Sequence, residues 1–241
     1  MQKFENMKVL ILDRCQYLTD IPNVSNLPNL EEFSFQDCKN LITIHNSIGN
    51  LNKLEIIRAT GCCKLESFPP LLLPSLKKLE LSYCESLKSF PELLCKMTNI
   101  KDIFLLHTPI EELPFSFQNL SELHVLQIYL VRMLRFPKHN DKMYSIVFSN
   151  VTELNLLYCN LSDDCLQTVL KWCSNVKNLN LSGNKFKTLP ECLSECHRLW
   201  NLNVEFCCRL EDIRGIPPNL NYFSALRCKS LSSSSRRMLL N

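Results

Sequence analysis

The sequence predicts an α/β solenoid, in which about ten parallel strands line a concave face and mostly irregular or short helical segments return along the convex face. One apolar motif recurs ten times, and its first positions lie 21 to 28 residues apart. Strand-like alternation in every copy, followed by an irregular return, is typical of a repeat architecture. With 241 residues and 46% hydrophobic composition, the chain can bury a continuous core along such an array.

Each copy follows the pattern L-x-x-L-x-L-x-x-C, as in Leu76, Leu79, Leu81 and Cys84. This is the pattern of leucine-rich repeats, whose parallel strands stack into a curved sheet, or horseshoe arc. Because side chains alternate along a strand, the fourth and sixth residues of a copy enter the core, and the third, fifth and seventh face outward. We predict a single array over 1–241, with copies that begin near residues 7, 30, 54, 76, 100, 123, 151, 176, 199 and 220.

The segments between the predicted strands carry proline and Asn-Leu signals, which favour irregular or short helical returns. One regular helix is predicted in SDDCLQTVLKWC. Ser162 or Asp163 caps the start of this helix, and a stripe of its residues is buried. The longest step carries an insertion at 138–149, whose apolar residues we expect to pack on the rim. Neither end shows a polar capping unit, so the sequence indicates a piece of a longer multidomain protein that, expressed alone, should aggregate or need fused caps.

The ninth residue of each copy is a second recurring feature, and seven of the ten copies place cysteine there. We call it the ladder position, because equivalent residues stack along a solenoid. A small, weakly hydrogen-bonding side chain suits the turn that leaves the strand, which favours a structural role. The predicted structural ladder comprises Cys15, Cys38, Cys62, Cys84, Cys159, Asn184, Cys207 and Cys228.

Other readings of the 14 cysteines are weaker. A disulfide framework would need pairs and an oxidising compartment, whereas the chain shows no secretion signal. The best local candidate for a zinc site groups Cys192, Cys196 and His197, and it lacks a fourth ligand. We therefore expect no metal and no cofactor.

Charge and motifs argue against several classes of function. The net charge of +3 is too small to indicate nucleic-acid binding by itself, and the four glycines form no phosphate-binding motif. No run of 18 apolar residues is long enough to span a membrane. The five histidines fall in no motif with a nucleophile and an orienting carboxylate, so we predict a protein that is not an enzyme.

The outward positions predict where a partner binds. They carry seven acidic and four basic side chains, a balance that does not suit a phosphate backbone. The middle copies carry apolar and aromatic groups, and strands about 4.8 Å apart would bring these into one patch of the kind that marks protein contacts. Another protein and another domain of the same protein suit this patch equally. The predicted protein-binding patch comprises Phe104, Leu106, His107, Val125, Tyr129, Leu130, Leu157 and Tyr158.

Four phrases carry a resemblance to a known family: LDRCQYLTDIPNVSNLPNLEEFSFQDCKNL, GCCKLESFPPLLLPSLKKLELSYCESLKSFPELL, TPIEELPFSFQNLSEL and LNLSGNKFKTLPECLSECHRLWNLNVEFCCRLEDIRGIPPNLNYFSALRCKSL. From about residue 7 to 235, the chain resembles the leucine-rich-repeat (LRR) region of plant intracellular immune receptors of the TIR–nucleotide-binding–LRR class. The resemblance implies a cytoplasmic or nucleocytoplasmic location, a role in recognising pathogen effectors, and a role in holding the receptor inactive. It carries over neither catalysis nor nucleotide binding, because the chain has no TIR segment and no P-loop.

Two other functions stay open, and a third, an enzyme, is not supported. A substrate-adaptor LRR of a ubiquitin ligase would also favour cysteine at the ladder position, although the Leu-Pro signatures argue against it. A secreted LRR protein is allowed by several Asn-x-Ser/Thr triplets, yet cysteine caps and a signal peptide are missing. An enzyme finds no support, because Asp163 and Asp164 suit the start of a helix better than an acid–base pair.

Overall fold

The computed structural model describes residues 4–131, 134–135, 149–171 and 173–240. The predicted insertion at 138–149 therefore lies outside the described residues, apart from Ser149. The chain divides into two compact units, Met1–Leu123 and His124–Asn241. Each unit is built from the same repeat.

The first unit contains a parallel sheet whose strands follow one another in chain order, one from each copy. Equivalent apolar residues pair in register, as Leu10 with Phe33, Phe33 with Ile57, and Ile57 with Leu79. The strands of this sheet are β1 (Val9–Ile11), β3 (Glu32–Ser34), β5 (Ile56–Arg58), β6 (Lys78–Glu80) and β7 (Asp102–Leu106). The short strands β2 (Asp20–Ile21) and β4 (Thr43–Ile44) pair separately, and the return Asn46–Asn50 and the return Phe115–Asn119 are 3-10 helices.

The second unit repeats this arrangement, again with one sheet strand from each copy. Leu154, Leu179 and Leu202 pair in register across three of its strands. The sheet strands are β8 (Val125–Tyr129), β9 (Glu153–Leu157), β10 (Asn178–Asn180), β12 (Asn201–Asn203) and β14 (Tyr222–Ser224), and the short pair is β11 (Thr188–Leu189) with β13 (Asp212–Ile213). The remaining elements are the helices α1 (Asp163–Leu170) and α2 (Ser233–Leu240) and the 3-10 helices Cys173–Asn175 and Glu191–Glu195. Five parallel strands in each unit confirm the predicted fold class.

Alternation along the strands separates the core from the outward face. In β7, Ile103 and Leu105 are buried, whereas Asp102 and Phe104 are exposed. Successive side chains of a strand point to opposite sides, and the apolar ones enter the core shared with neighbouring copies. The remaining residues of each strand are thereby left on one face for binding.

Helix α1 forms as the sequence predicts. The hydroxyl of Ser162 caps it by accepting a hydrogen bond from the backbone nitrogen of Cys165 at 3.4 Å, and Asp163 and Asp164 lie in its first turn, where the helix dipole favours acidic groups. Leu166, Val169, Leu170 and Cys173 are buried. Helix α2 was not predicted, because a run of serines is a weak helix former. The hydroxyl of Ser232 caps it, and Ser235 is buried where it accepts a hydrogen bond from the backbone nitrogen of Ile213 at 3.0 Å.

The ladder cysteines donate from one copy to the copy before it. Cys38 Sγ lies 3.1 Å from the carbonyl oxygen of Leu12, and Cys228 Sγ lies 3.0 Å from that of Val204. The thiols of Cys62, Cys84, Cys159 and Cys207 make the same kind of contact at 3.2–3.3 Å. Cys15 differs from these cysteines and is exposed. All 14 cysteines are free thiols.

Thr108 occupies the ladder position of the fifth copy, and its hydroxyl is buried without a hydrogen-bond partner among the residues that the structure describes. The sixth copy places Val131 there, which is also buried. A buried unsatisfied hydroxyl costs free energy, so Thr108→Val should raise the free energy of unfolding by about 1 kcal/mol. Urea unfolding of the two proteins measures the difference. Thr168→Val is the control and should bring no gain, because the hydroxyl of Thr168 donates to the carbonyl oxygen of Asp164 at 2.9 Å. A destabilised Thr108→Val protein would contradict the prediction.

Candidate protein-binding surface

The first unit presents its part of the predicted patch at the end of β7. Phe104 and His107 are exposed, and Leu106 is half-buried. The ring of His107 stacks on that of Tyr83, with centroids 5.4 Å apart and planes 16° from parallel. Tyr83 is 44% exposed and was not among the predicted patch residues. The unit therefore offers a flat aromatic pair beside an exposed phenylalanine.

The second unit presents the other part along β8 and β9. Leu130 and Tyr158 are exposed, whereas Val125, Tyr129 and Leu157 are half-buried. Strands β8 and β9 pair so that Tyr129 faces Leu157 in register, and the rings of Tyr129 and Tyr158 meet edge to face with centroids 6.0 Å apart. The structure thus gathers these five residues on one side of two adjacent strands.

The residue just before the ladder position adopts a left-handed backbone conformation in every copy. We call these ten positions the left-handed row, and in each φ lies between 53° and 79°. Such values are favourable for glycine and cost other residues about 1 kcal/mol or more. Only Gly61 and Gly183 are glycines. The others are Arg14, Asp37, Tyr83, His107, Leu130, Tyr158, Phe206 and Arg227.

The left-handed row turns large side chains toward solvent at the ends of the strands. Tyr158 lies against Gly183, where an added Cβ would come within 2.2 Å of its ring, so the glycine makes room for the tyrosine. Phe206, which the sequence reasoning missed, is 36% exposed and lies beneath the guanidinium of Arg227 at 5.3 Å. The signal that could have found Tyr83 and Phe206 is their shared eighth position in the repeat.

Charges on the outward face of the first unit largely neutralise one another. Arg58 pairs with Glu32, and its Nε lies 3.4 Å from Glu80 Oε2, while Lys78 Nζ lies 2.7 Å from Glu80 Oε1. Arg14 lies 3.8 Å from Asp37 in a more exposed pair. Basic groups that are already paired with carboxylates form a poor track for phosphates. The outward face therefore suits a partner that binds mainly through apolar and aromatic contacts.

Burial keeps the core thiols protonated. It raises the pKa of Cys84, Cys159 and Cys207 to about 12, and that of Cys196 to about 11. The thiolate is the form that binds metals and attacks electrophiles. Within the described ranges, no three His, Cys, Asp or Glu residues are grouped so that they could hold a metal ion. No helix in the described part of the chain is long and apolar enough to cross a membrane.

Comparison with known proteins places these repeats. A family model described as leucine-rich repeats of RPS4B-like disease resistance proteins matches residues 71–152. The TMV resistance protein N of Nicotiana glutinosa is 26% identical over 85% of this chain and 24% of its own length. Protein SUPPRESSOR OF npr1-1, CONSTITUTIVE 1 of Arabidopsis thaliana is 30% identical over 90% of the chain and 14% of its own length. The disease resistance protein RPP5 of the same plant is 28% identical over 92% and 14%.

These matches confirm the resemblance to the LRR region of plant TIR–nucleotide-binding–LRR disease resistance proteins, and the chain spans less than a quarter of the length of these three relatives. Solved structures agree on the fold. The LRR domain of the type III effector XopL has a TM-score of 0.65 at 18% identity, over 90% of this chain and 76% of that one. TLR13 in its ssRNA13 complex has a TM-score of 0.64 at 21% identity, over 92% and 33%.

Proposed function

We propose that this chain, which shares its leucine-rich repeats with plant TIR–nucleotide-binding–LRR disease resistance proteins, is the protein-interaction module of an immune receptor in the cytoplasm. In this proposal it is not an enzyme. It contacts a pathogen effector, and contacts with other domains of the same receptor hold that receptor inactive. The likeness to disease resistance proteins supports the immune role, and the surface supports the mode of binding.

The observation that carries the proposal is the left-handed row. Eight of its ten residues are not glycine, although glycine would fit this backbone without strain. Strained residues persist where the surrounding structure holds them in place, and they gather at active and binding sites. Aromatic residues are the commonest anchors of protein interfaces. Tyr83 and His107 in one unit, and Tyr158 and Phe206 in the other, are therefore the residues that we assign to partner contact.

The charges of the outward face support a protein partner over a nucleic acid. The half-buried Arg58 lies between Glu32 and Glu80, so its positive charge is already compensated. A protein that follows a nucleic-acid backbone needs several unpaired basic groups, and its affinity falls steeply with salt. We expect binding of the natural partner to depend only weakly on salt concentration.

Replacing Tyr158 by glycine separates binding from folding. Tyr158→Gly relieves the left-handed strain and removes the ring, so the fold should persist while partner affinity falls by about thirtyfold, the loss expected for an interface hot spot. The variant is tested within the receptor that carries the chain, by the immune response in leaves with and without pathogen. Loss of the response indicates contact with an effector, and a response without pathogen indicates contact with another receptor domain.

Arg14→Gly is the matched control, because it makes the same backbone change in an exposed residue whose ion pair with Asp37 is weak. It should leave both responses unchanged. Circular dichroism of the purified variants checks that the fold persists. A folded Tyr158→Gly receptor with normal responses in both conditions would count against the assignment of Tyr158 to partner contact.

A further inference from the structure

A groove on the outward face of the second unit is lined by side-chain amides. It has a volume of about 640 Å³ and runs across β9, β10, β12 and β14. Register places Asn155, Asn180 and Asn203 side by side on successive strands, and a second row places Asn178 beside Asn201. We call this the amide groove. Its volume falls in the range of small-ligand sites, and none of the residues that define its two rows is cationic.

Hydrogen bonds fix which way two of these amides point. The Oδ1 of Asn180 accepts from the backbone nitrogen of Ser182 at 3.0 Å, and the Oδ1 of Asn203 accepts from that of Glu205 at 2.9 Å. The hydroxyl of Ser182 lies 2.7 Å from Oδ1 of Asn180 and 2.8 Å from Oδ1 of Asn203, so its single hydrogen is shared between these two acceptors. A backbone N–H can only donate, so the oxygens must face it and the NH₂ groups must point away. In the described part of the chain, neither NH₂ group has an acceptor.

Asn155 adds a third amide to this row. Its Oδ1 is buried and has no hydrogen-bond partner among the described residues. Buried polar atoms in folded proteins are nearly always paired with protein, water or ligand. Turning this amide toward a ligand would break no bond through Oδ1, so Asn155 is free to adapt to what enters the groove.

The ends of the amide groove differ in chemistry. Glu153 lies at one end, where its Oε1 accepts from the side-chain nitrogen of Gln127 at 3.0 Å. Tyr222, at the other end, is 51% exposed. A carboxylate attracts a basic group, and an exposed tyrosine ring suits an apolar ring such as that of proline. The amide groove therefore suits a ligand whose central part is neutral and rich in hydrogen-bond acceptors. One basic group of this ligand would lie at the end near Glu153.

We propose that the amide groove binds an extended peptide segment in the polyproline II conformation, with a basic residue near Glu153. Three residues of a polyproline II helix advance about 9.3 Å, and two strand spacings span about 9.6 Å. Carbonyl oxygens on one side of such a peptide would therefore meet every second amide of the row. This conformation makes no internal hydrogen bonds, so its carbonyls are free to accept from Asn155 and Asn203, which lie two strand spacings apart. The inference deepens the proposed function and rests on it for its biological role.

Fluorescein-labelled decaproline tests whether the asparagine amides bind the backbone carbonyls of a peptide, because the proposed contacts do not depend on particular side chains of that peptide. Titration with the purified chain carrying fused solenoid caps, followed by fluorescence anisotropy, should give saturable binding, and a decaproline with an added arginine should bind about fivefold tighter through Glu153. Glu153→Gln should remove that fivefold gain while decaproline still binds. A gain that survives Glu153→Gln would overturn the role of this carboxylate, and the absence of saturable binding would overturn the whole proposal.

Asn203→Asp is the decisive variant. It keeps the oxygen that accepts from the turn and replaces the NH₂ donor by a second acceptor, so it should weaken decaproline binding at least fivefold with the fold intact. Gln167→Glu makes the same exchange of amide for carboxylate on the exposed surface of α1 and should leave binding unchanged. Equal binding by Asn203→Asp, or saturable binding of a cellulose or chitin oligosaccharide in place of the peptide, would overturn the proposal. Tyr158 lies outside the amide groove, so its glycine variant tests the proposed function separately.

Discussion

Replacement of Asn184 by leucine is expected to lower the free energy of unfolding by about 4 kcal/mol. This side chain is 3% exposed and makes four hydrogen bonds. Its Oδ1 accepts from the backbone nitrogens of Cys159 at 3.1 Å and Leu161 at 3.0 Å. Its Nδ2 donates to the carbonyl oxygens of Leu156 and Leu181, both at 2.7 Å. Leucine would leave these buried backbone groups without partners, and each unsatisfied group costs about 1 kcal/mol or more.

Asn184→Cys is the matched variant, because cysteine fills the ladder position in seven other copies. The thiol can still donate to the carbonyl oxygen of Leu156, as the ladder cysteines do, but it offers no acceptor to the two backbone nitrogens. We expect a loss of about 2 kcal/mol, between the wild type and the leucine variant. Urea unfolding followed by circular dichroism ranks the three proteins. A leucine variant within 1 kcal/mol of the wild type would show that the four bonds contribute little net stability.

Most of the fold follows from the spacing of apolar residues. Alternation within each copy predicts which side chains of β7 are buried, and the sequence around Ser162 predicts helix α1 with its cap. These features depend on local periodicity and capping, which one chain segment displays by itself. Helix α2 escaped prediction, because its serine run gains its stability from the hydrogen bonds of Ser235 with the neighbouring copy rather than from propensity.

The candidate surfaces were harder to predict. Gly61 and Gly183 indicate a left-handed turn from the sequence alone. The eight other copies have residues such as Tyr83 and Phe206 at this position, which do not indicate such a turn. The asparagines of the amide groove are plain in the sequence, but the direction of each NH₂ group depends on hydrogen bonds that only the folded turn creates. Orientation and strain are properties of the packed backbone, so a residue pattern alone does not reveal them.

Alkaline solution should destabilise the protein strongly. Burial raises the pKa of Cys84, Cys159 and Cys207 to about 12 and that of Cys196 to about 11, against an ordinary value of 9.0. Above pH 9 the unfolded chain loses these protons while the folded chain keeps them. The stability that they contribute is therefore present below pH 9 and is lost as the pH rises toward 11 or 12. Between pH 9 and pH 10 the four thiols together should lower the free energy of unfolding by about 4 kcal/mol.

Tyrosines and lysines also titrate in this range, so the prediction is best tested as a difference between two proteins. Val131 shows that valine fits the ladder position. Cys159→Val removes one buried thiol, so between pH 9 and pH 10 its free energy of unfolding should fall by about 1 kcal/mol less than that of the wild type. Urea unfolding from pH 8 to pH 10.5 under reducing conditions measures both curves. Any constant loss of packing shifts the whole curve without changing its slope, so parallel curves would mean that the thiol of Cys159 is as free to ionise in the folded protein as in the unfolded chain.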